Sequence, residues 1–360
     1  MRVVFRADSS LTIGSGHVAR CLTLAQELAG AGAECAFICR DLDGNRIGLI
    51  EAAGFPVHLL PSPNGGDIEL RTHHSAWAGV DWRQDAAETR AVLNGADWLV
   101  LDHYAFDAEW ERAALPEGTR LLVIDDLADR PHVCDLLMDQ NLGRQAADYD
   151  GLVPDSARVL AGPTYALLRP EFRDLRAEAL ARRTAKSPER LIIAMGGVDL
   201  NNATGDVLEV LRDWCTDISV CVVMGGKAPH LNTVRTQAAQ MPFSCEVAVD
   251  ITDIGTRMAA ANLAVGAVGG TTWERCALGL PTLMLTIADN QQPAAAAMDA
   301  SGAAIWVGDQ RDADWKDRLR AGLNRLRDGD ALLAMSRKAA AICDGAGAQK
   351  VAATLREFCQ

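Results

Sequence analysis

Short apolar runs alternate with helical stretches along most of the chain, and this alternation constrains the fold more than any other feature. In the first half, strands are predicted over 3–6, 35–39, 57–60, 98–101, 121–124, 136–139 and 158–161. Helices are predicted between them over 19–29, 45–53, 81–93 and 107–114. Strands that alternate with helices form parallel βαβ units. The sequence therefore predicts an α/β domain built on a parallel sheet.

A second alternating series follows a polar helical stretch over 169–188, which has the composition of a connector. Its strands are predicted over 191–195, 219–224, 245–249, 263–267, 282–285 and 304–307. Its helices are predicted over 202–215, 230–239, 251–260, 272–278, 291–300 and 314–328. A chain of 360 residues suits two domains. We expect the α/β GT-B architecture, with Rossmann-like domains over 1–165 and 166–345 facing a central cleft and a C-terminal helix over 346–360.

The turn after the first strand carries the run Ile-Gly-Ser-Gly-His-Val over 13–18. Gly14 and Gly16 permit backbone conformations and close approaches that larger residues forbid, and the N–H groups at a helix start attract phosphate. His17 adds an imidazole, which can accept a proton near neutral pH. The turn predicts a place where a phosphate-bearing ligand meets a proton acceptor. The alternative is an ordinary βα turn in which His17 caps the helix.

The second half has a comparable turn, Gly-Gly-Thr-Thr-Trp-Glu over 269–274, between a predicted strand and a helix. Ligands of parallel sheets bind beyond the carboxyl ends of the strands. Gly270 and Thr271 can therefore surround a pyrophosphate that the helix dipole favours, while Glu274 accepts hydrogen bonds from ribose hydroxyls. The alternative is a capped helix whose glutamate complements the dipole without any ligand.

Composition excludes several classes of partner. The formal net charge of −13 disfavours nucleic acid and anionic membrane surfaces, both of which require a basic face. Ten cysteines are scattered without a metal-binding or disulfide pattern, which indicates small buried side chains in a reducing compartment. The chain also lacks an apolar leader, a run long enough to span a bilayer, and the dinucleotide-binding fingerprint. We expect a cytoplasmic monomer without a cofactor.

The motifs together resemble the UDP-sugar hydrolases of pseudaminic acid biosynthesis. The resemblance begins with Arg6-Ala7-Asp8-Ser9-Ser10 and the turn over 13–18, and it covers most of the chain. It continues through Asp102-His103-Tyr104, Asp125-Asp126, Tyr149 to Pro154, Tyr165 to Arg169, Met195-Gly196-Gly197-Val198-Asp199 and Asn290-Gln291. The resemblance implies metal-independent hydrolysis of UDP-2,4-diacetamido-2,4,6-trideoxy-β-L-altropyranose at the anomeric C–O bond, which releases UDP and the free sugar with inversion.

The resemblance also implies roles for individual residues. His17, Tyr104 and Asn290 are expected to be catalytic, with His17 as the base that activates water. The expected substrate-binding residues are Arg6, Asp8, Gly14, Gly16, Arg169, Gly196, Gly197, Gly270, Thr271, Glu274 and Gln291.

Each assignment has a structural alternative. Tyr104 can simply pack, Asn290 can cap a helix, and Arg169 can form an ion pair; His103 competes with His17 as the base. Asp8, Asp125 and Asp126 have the residue types of a carboxylate metal site, although we expect no metal. Two other functions stay open: a GT-B glycosyltransferase that uses a UDP-amino sugar, and a non-catalytic sugar-nucleotide sensor. The chain departs from the family pattern at 268–274 and in an insertion-like loop over 61–83, so these segments bear on sugar specificity.

Overall fold

The computed structural model describes residues 1–214 and 217–358. By its internal contacts the chain divides into two units. The first comprises Met1–Leu167 and the described part of Ala346–Gln360, and the second comprises Leu168–Gly345. The described part of the stretch over 346–360, which the sequence sets apart as a C-terminal helix, therefore packs with the first unit.

The first unit contains a parallel sheet of seven strands in the order β3-β2-β1-β4-β5-β6-β7. The strands are β1 (Arg2–Ala7), β2 (Glu34–Arg40), β3 (Val57–Leu60), β4 (Trp98–Asp102), β5 (Arg120–Ile124), β6 (Leu136–Asp139) and β7 (Arg158–Ala161). The strand order reverses between β1 and β4, because β2 and β3 lie on one side and β5 to β7 on the other. In open parallel sheets such a reversal opens a crevice at the carboxyl ends of the two central strands.

The second unit contains a parallel sheet of six strands in the order β10-β9-β8-β11-β12-β13. The strands are β8 (Arg190–Ala194), β9 (Ser219–Met224), β10 (Ser244–Val249), β11 (Leu263–Ala267), β12 (Thr282–Thr286) and β13 (Ile305–Asp309). Here the order reverses between β8 and β11, so the turn after β11 lies at the corresponding position of the second sheet.

Helices connect the strands in both units. In chain order they are α1 (Gly16–Gly30), α2 (Ile47–Ala52), α3 (Trp82–Val92), α4 (Ala108–Ala114), α5 (Pro170–Asp174), α6 (Arg176–Ala181), α7 (Ala203–Arg212), α8 (Leu231–Ala238), α9 (Ile254–Ala260), α10 (Gly270–Ala277), α11 (Gln292–Ser301), α12 (Trp315–Arg325), α13 (Gly329–Ile342) and α14 (Gly347–Glu357). Short 3₁₀ turns occur at Ser75–Ala78, Ala146–Tyr149, Pro163–Tyr165 and Asp289–Gln291.

Helix α1 is backed by the last helix of the chain. Val18 and Leu24 of α1 share one apolar core with Val351 and Leu355 of α14, and all four side chains are buried. A few such residues on one face of each helix supply most of the stability of these elements, because propensity alone stabilises short helices weakly. The position of α1 therefore depends on residues from both ends of the chain.

The predicted strands and helices are present, with ends that shift by a few residues. Helix α1 begins at Gly16 instead of residue 19, which brings His17 into its first turn. The connector over 169–188 contains α5 and α6, and α13 was not predicted. Cys215 and Cys359 lie outside the described residues. Six of the eight described cysteines are buried, and no described helix is long and apolar enough to cross a membrane.

Candidate active site

The reversal between β1 and β4 brings His17 and Asp102 together. Ala7, the last residue of β1, pairs in register with Asp102, the last residue of β4. The chain leaves β1 through the glycine turn and enters α1, so that His17 returns over the end of β4. His17 Nδ1 lies 2.6 Å from Asp102 Oδ1. Asp102 is fully buried, and His17 is 8% exposed.

Asp102 is an ionised acceptor for this imidazole. Burial alone would raise the pKa of Asp102, but the Arg20 guanidinium and His17 hold it well below its usual range. A carboxylate can only accept a hydrogen bond, so His17 donates its Nδ1 proton, and in the neutral imidazole Nε2 is the nitrogen that can accept a proton. This is the arrangement in which a buried carboxylate fixes the tautomer of a general base.

Arg20 connects two carboxylates at this site. It follows His17 by three residues on α1, which puts both side chains on one helix face. Its Nε donates to Asp102 Oδ2 at 2.6 Å, and its Nη1 donates to Asp126 Oδ2 at 2.5 Å. The Arg20 side chain is 10% exposed. One guanidinium fork therefore holds the group that orients His17 and a second carboxylate after β5.

Tyr104 is bound to that second carboxylate. Its hydroxyl donates to Asp126 Oδ2 at 2.6 Å, and its ring meets the His17 ring edge-on with 4.7 Å between centroids. Burial and the charge of Asp126 raise the pKa of Tyr104 well above its ordinary value, so the group is a phenol. Its proton is directed at Asp126, which leaves the hydroxyl oxygen as an acceptor towards any ligand.

Arg6 and Asp8, which the sequence predicts to bind substrate, have no exposed surface. Arg6 Nη1 donates to Asp8 Oδ1 and Arg6 Nη2 donates to Asp85 Oδ2, each at 2.7 Å, and Arg40 Nη2 donates to Asp85 at the same distance. Buried charges persist in proteins when they are paired in this way. The network lies under β1 and β2, so Arg6 and Asp8 have supporting positions in this structure and no surface for contact with a ligand.

His103, the competing base, is also part of this buried network. Its Nδ1 accepts from the Ala105 N–H at 3.1 Å, and its Nε2 lies 3.3 Å from Asp8 Oδ2. Burial lowers the pKa of His103 although Asp8 opposes this shift. His103 is 3% exposed, and its ring stacks on the ring of Phe106. His103 therefore has the environment of a neutral structural histidine.

The carboxylates considered as metal ligands have protein partners. Asp125 accepts from the backbone N–H of Ala128 at 2.8 Å and pairs with Arg130 at 2.9 Å, while Asp126 pairs with Arg20. Among residues 1–214 and 217–358, the structure contains no group of three or more acidic, histidine or cysteine side chains that could hold a metal ion.

The glycine turn leaves the start of α1 open. Gly14 has a φ of 79°, a left-handed conformation that favours glycine, and its N–H donates to the Ser10 carbonyl at 2.9 Å. Among the described side chains, none caps α1 at Ser15, and no atom would meet a Cβ placed on Gly14 or Gly16 within 4 Å. Backbone N–H groups at the start of a helix in such an open turn are suited to bind an anion.

In the second unit, Arg275 shapes the turn before α10. Its guanidinium donates to the Ala267 carbonyl at 2.9 Å, to Thr271 Oγ1 at 3.1 Å and to Thr272 Oγ1 at 3.2 Å. Arg275 is 2% exposed, and burial lowers its pKa to about 10. The space around Gly270 is open to 4 Å. The buried Arg275 side chain therefore holds the turn in place, and the start of α10 stays open to a ligand.

Glu274 lies one turn into α10, and nearby positive charges compensate the charge of its carboxylate poorly. Its side chain is 16% exposed, and its Oε1 lies 3.9 Å from Arg169 Nη2, whereas Arg169 pairs with Glu171 at 2.8 Å. Burial raises the pKa of Glu274 to about 7, with Arg169 and Arg275 acting in the opposite direction. A carboxylate whose ion pair among the described residues is as long as 3.9 Å is available to accept hydrogen bonds from a ligand.

The remaining predicted residues lie in turns of the second unit. Gly196 has a φ of 91°, and the Gly197 carbonyl accepts from the Gly225 N–H at 3.1 Å after β8. Gln291 closes the 3₁₀ turn after β12, because its Oε1 accepts from the Ile287 N–H at 2.9 Å. The backbone of Asn290 belongs to the same turn, and its side chain lies outside what the structure describes.

Sequence reasoning did not assign a role to Arg20 or Arg275. Arg20 could have been found from its spacing, since a residue three positions after His17 shares its helix face. Arg275 has no comparable signal, because a basic residue inside a helix is typical of a solvated surface. Only the structure shows the hydrogen bonds that Arg20 donates to Asp102 and that Arg275 donates to the turn before α10.

Comparison with known proteins places these features in context. No family model matches the chain. It is 28% identical over 263 residues to the UDP-2,4-diacetamido-2,4,6-trideoxy-β-L-altropyranose hydrolase of Campylobacter jejuni, an alignment covering 73% of this chain and 83% of the relative. The chain is similar to this hydrolase over most of its length. The resemblance inferred from the motifs is thereby confirmed.

Solved structures identify the fold. MurG of Acinetobacter baumannii superimposes with a TM-score of 0.68 at 15% identity and 99% coverage of both chains. The spinosyn rhamnosyltransferase SpnG, bound to spinosyn aglycone, superimposes with a TM-score of 0.59 at 16% identity and 100% coverage of both chains. These similarities confirm the α/β fold of the GT-B class predicted from the alternating elements.

Proposed function

We propose that this chain is a hydrolase of UDP-linked diacetamido-trideoxyhexoses in pseudaminic acid biosynthesis. Its substrate would be UDP-2,4-diacetamido-2,4,6-trideoxy-β-L-altropyranose, the sugar nucleotide named for the similar Campylobacter jejuni enzyme. The observation that carries the proposal is the His17–Asp102 pair, because it presents an oriented imidazole base at the reversal point of the first sheet.

The chemistry requires one base and a bound leaving group. As the anomeric C–O bond breaks, the carbon becomes oxocarbenium-like and UDP takes the bonding electron pair. Water forms the new C–O bond while His17 Nε2 accepts its proton, and Asp102 stabilises the resulting imidazolium. The proton then passes to solvent. This sequence needs a single displacement and inverts the anomeric carbon.

The second unit is proposed to hold the nucleotide. The N–H groups at the start of α10, next to Gly270 and Thr271, would bind the pyrophosphate, and Glu274 would accept hydrogen bonds from the ribose. Arg169 would contribute positive charge near Glu274. Gly196, Gly197, Asn290 and Gln291 are proposed to contact the substrate from the turns after β8 and β12.

In the first unit, Gly14 and Gly16 are proposed to approach the anionic end of the substrate through the open helix start. Tyr104 is proposed to accept a hydrogen bond from the sugar, because its own proton is directed at Asp126. Arg6 and Asp8 support the strand ends without substrate contact, since both are fully buried.

Sugar transfer is the second candidate, since the spinosyn rhamnosyltransferase has a related fold. The test incubates the purified protein with a panel of UDP-sugars and follows UDP by ³¹P NMR, with and without alcohol acceptors. His17→Asn serves as the control for catalysis. We expect UDP release from the diacetamido sugar without an acceptor. Release that requires an acceptor would establish a transferase, and binding without turnover would establish a sugar-nucleotide sensor.

A further inference from the structure

We infer that His74 and Trp77, together with Tyr104, form an aromatic sugar-binding wall in the site, in which Trp77 stacks on an apolar face of the substrate's pyranose ring. The wall consists of His74, Trp77 and Tyr104. The inference rests on the proposed function and specifies which part of the chain recognises the sugar.

The wall stands beside the proposed base. The Trp77 ring lies 6.2 Å from the His17 ring at an interplanar angle of 77°, and it lies 5.7 Å from the Tyr104 ring at 30°. His74 lies 4.4 Å from Trp77 and 5.6 Å from Tyr104. All three wall residues are partly exposed. Part of each aromatic side chain therefore remains accessible next to the imidazole that would activate water.

The segment that carries Trp77 is fixed to the first unit. Ser75 Oγ accepts from the N–H groups of Arg71 and Thr72 at 2.9 and 2.8 Å. Thr72 Oγ1 donates to the Tyr104 carbonyl at 3.1 Å, and Arg71 Nε donates to Asp107 at 3.0 Å. Because these bonds hold the segment directly against Tyr104, the wall is formed before a ligand binds, and little ordering cost remains.

The chemistry of the wall suits a neutral, partly apolar sugar. Burial and the neighbouring His73 lower the pKa of His74, so the wall is uncharged at neutral pH. Aromatic rings offer large apolar faces, and a pyranose ring presents C–H groups on its faces. A trideoxy sugar with two acetamido groups has fewer hydroxyls and more methyl groups than an ordinary hexose. Phosphate, by contrast, would require cationic or N–H donors.

The test compares Trp77→Ala with Trp77→Phe, which keeps an aromatic face, and with Trp82→Phe. Trp82 is the matched control because it belongs to the same segment but contacts Arg71 and Arg83. We expect Trp77→Ala to raise KM for the UDP-sugar by about tenfold or more, as expected for the loss of a buried aromatic contact. Trp77→Phe and Trp82→Phe should retain a KM near that of the wild type.

Three further measurements separate this inference from misfolding and from the proposed function. Melting temperatures should match among the variants, and affinity for UDP alone should not change. Saturation-transfer NMR from aromatic protons to the sugar ring should weaken in Trp77→Ala. An active wild type whose KM is unaffected by Trp77→Ala overturns the wall. If the wild type releases no UDP, the proposed function fails, and sugar-nucleotide binding that is independent of Trp77 then overturns the wall as well.

Discussion

His17 and Asp102 are joined by a 2.6 Å hydrogen bond although 85 residues separate them in sequence. The register of β1 against β4 is responsible, because Ala7 lies opposite Asp102 at the ends of the two strands. The bond uses Nδ1 and leaves Nε2 for a substrate. The catalytic hypothesis therefore concerns a pair of residues, and it can be tested at either member.

Replacing the base should abolish turnover and preserve nucleotide binding. His17→Ala or His17→Asn should lower kcat by about 10²- to 10⁴-fold, the usual contribution of a general base. Asp102→Asn should also lower kcat, because an amide can stabilise the wrong imidazole tautomer. Rates of UDP release and calorimetry with UDP provide the measurements. Near-normal turnover by His17→Ala at neutral pH would remove His17 from the mechanism.

Replacing Arg20 should lower kcat, whereas replacing an exposed arginine of another helix should not. Arg20→Lys keeps the charge but loses the fork that reaches both Asp102 and Asp126. We expect kcat to fall about tenfold to a hundredfold through misplacement of the base, with UDP affinity unchanged. Arg112→Lys is the control, since Arg112 is exposed and pairs with Glu109 one turn earlier on the same helix. Equal kcat values for the two variants would limit Arg20 to a structural role.

We expect the Glu274 carboxylate to increase the affinity for the nucleotide and to lower the stability of the folded protein at alkaline pH. If its carboxylate binds the ribose, Glu274→Ala should weaken UDP binding by about 1.5–3 kcal/mol, as for charge-assisted hydrogen bonds. Calorimetry at pH 8 measures this effect. Unchanged affinity would leave Glu274 as a residue that only complements the helix dipole.

The same carboxylate should make stability depend on pH. Burial raises the pKa of Glu274 from 4.5 to about 7, so its stabilising contribution is complete below pH 4.5 and is lost as pH rises through 7. Glu274→Gln should therefore be more stable than the wild type at pH 8, by up to about 3 kcal/mol, and the difference should vanish near pH 4.5. Denaturant unfolding at both pH values tests the sign, and a wild type of equal stability at pH 8 would contradict it.

Gly270 allows the phosphate proposal to be tested without disturbing the fold. The Cβ of Gly270→Ala meets no atom of the described residues within 4 Å and lies in the first turn of α10, so stability should stay the same or rise by up to about 1 kcal/mol. The added methyl group should nevertheless obstruct the pyrophosphate and weaken UDP binding. Gly48→Ala, equally open within α2, is the control. Full UDP affinity in Gly270→Ala would place the pyrophosphate elsewhere.

The stereochemical outcome should be inversion. A retaining reaction needs a second carboxylate as nucleophile, and Asp8, directly after β1, and Asp102, the last residue of β4, are both fully buried and paired. In water enriched in oxygen-18, label should enter the sugar hemiacetal and the released UDP should stay unlabelled. NMR at early times should detect the inverted anomer. Label in the β-phosphate would show attack at phosphorus, and initial retention would require a covalent intermediate.

The fold was largely predictable because its signals are local. Period and length alone identified every strand of both sheets, since buried parallel strands form short apolar runs between turns. Helix α13 was missed although Asp328, whose side chain accepts from the Asp330 N–H, is a residue type that starts helices. The helix itself begins with Gly329 and Asp330, and its buried face, formed by Leu332, Met335, Ser336 and Ala339, includes two large apolar residues, which is a weak signal in the sequence.

The site was predictable only in part. His17 and Glu274 follow strand ends, and the rule for parallel sheets finds such positions without a structure. The pairing of His17 with Asp102 depends on strand order, which no local pattern contains. The complete burial of Arg6 could not be expected either, because an arginine beside an aspartate in sequence is more often solvated. Only the three-dimensional structure shows that Asp85, from α3, completes its ion pairs.

Helix α14 gives the chain a specific order of assembly. The first unit starts at Met1, but its apolar core beneath α1 is complete only when Val351 and Leu355 have been made. During synthesis, all of Leu168–Gly345 is available to fold before α14 exists. The helix that bears the proposed base thus receives its support after the other unit has formed. An intermediate in which Leu168–Gly345 is folded and α1 still lacks part of its core is expected to come before the native state.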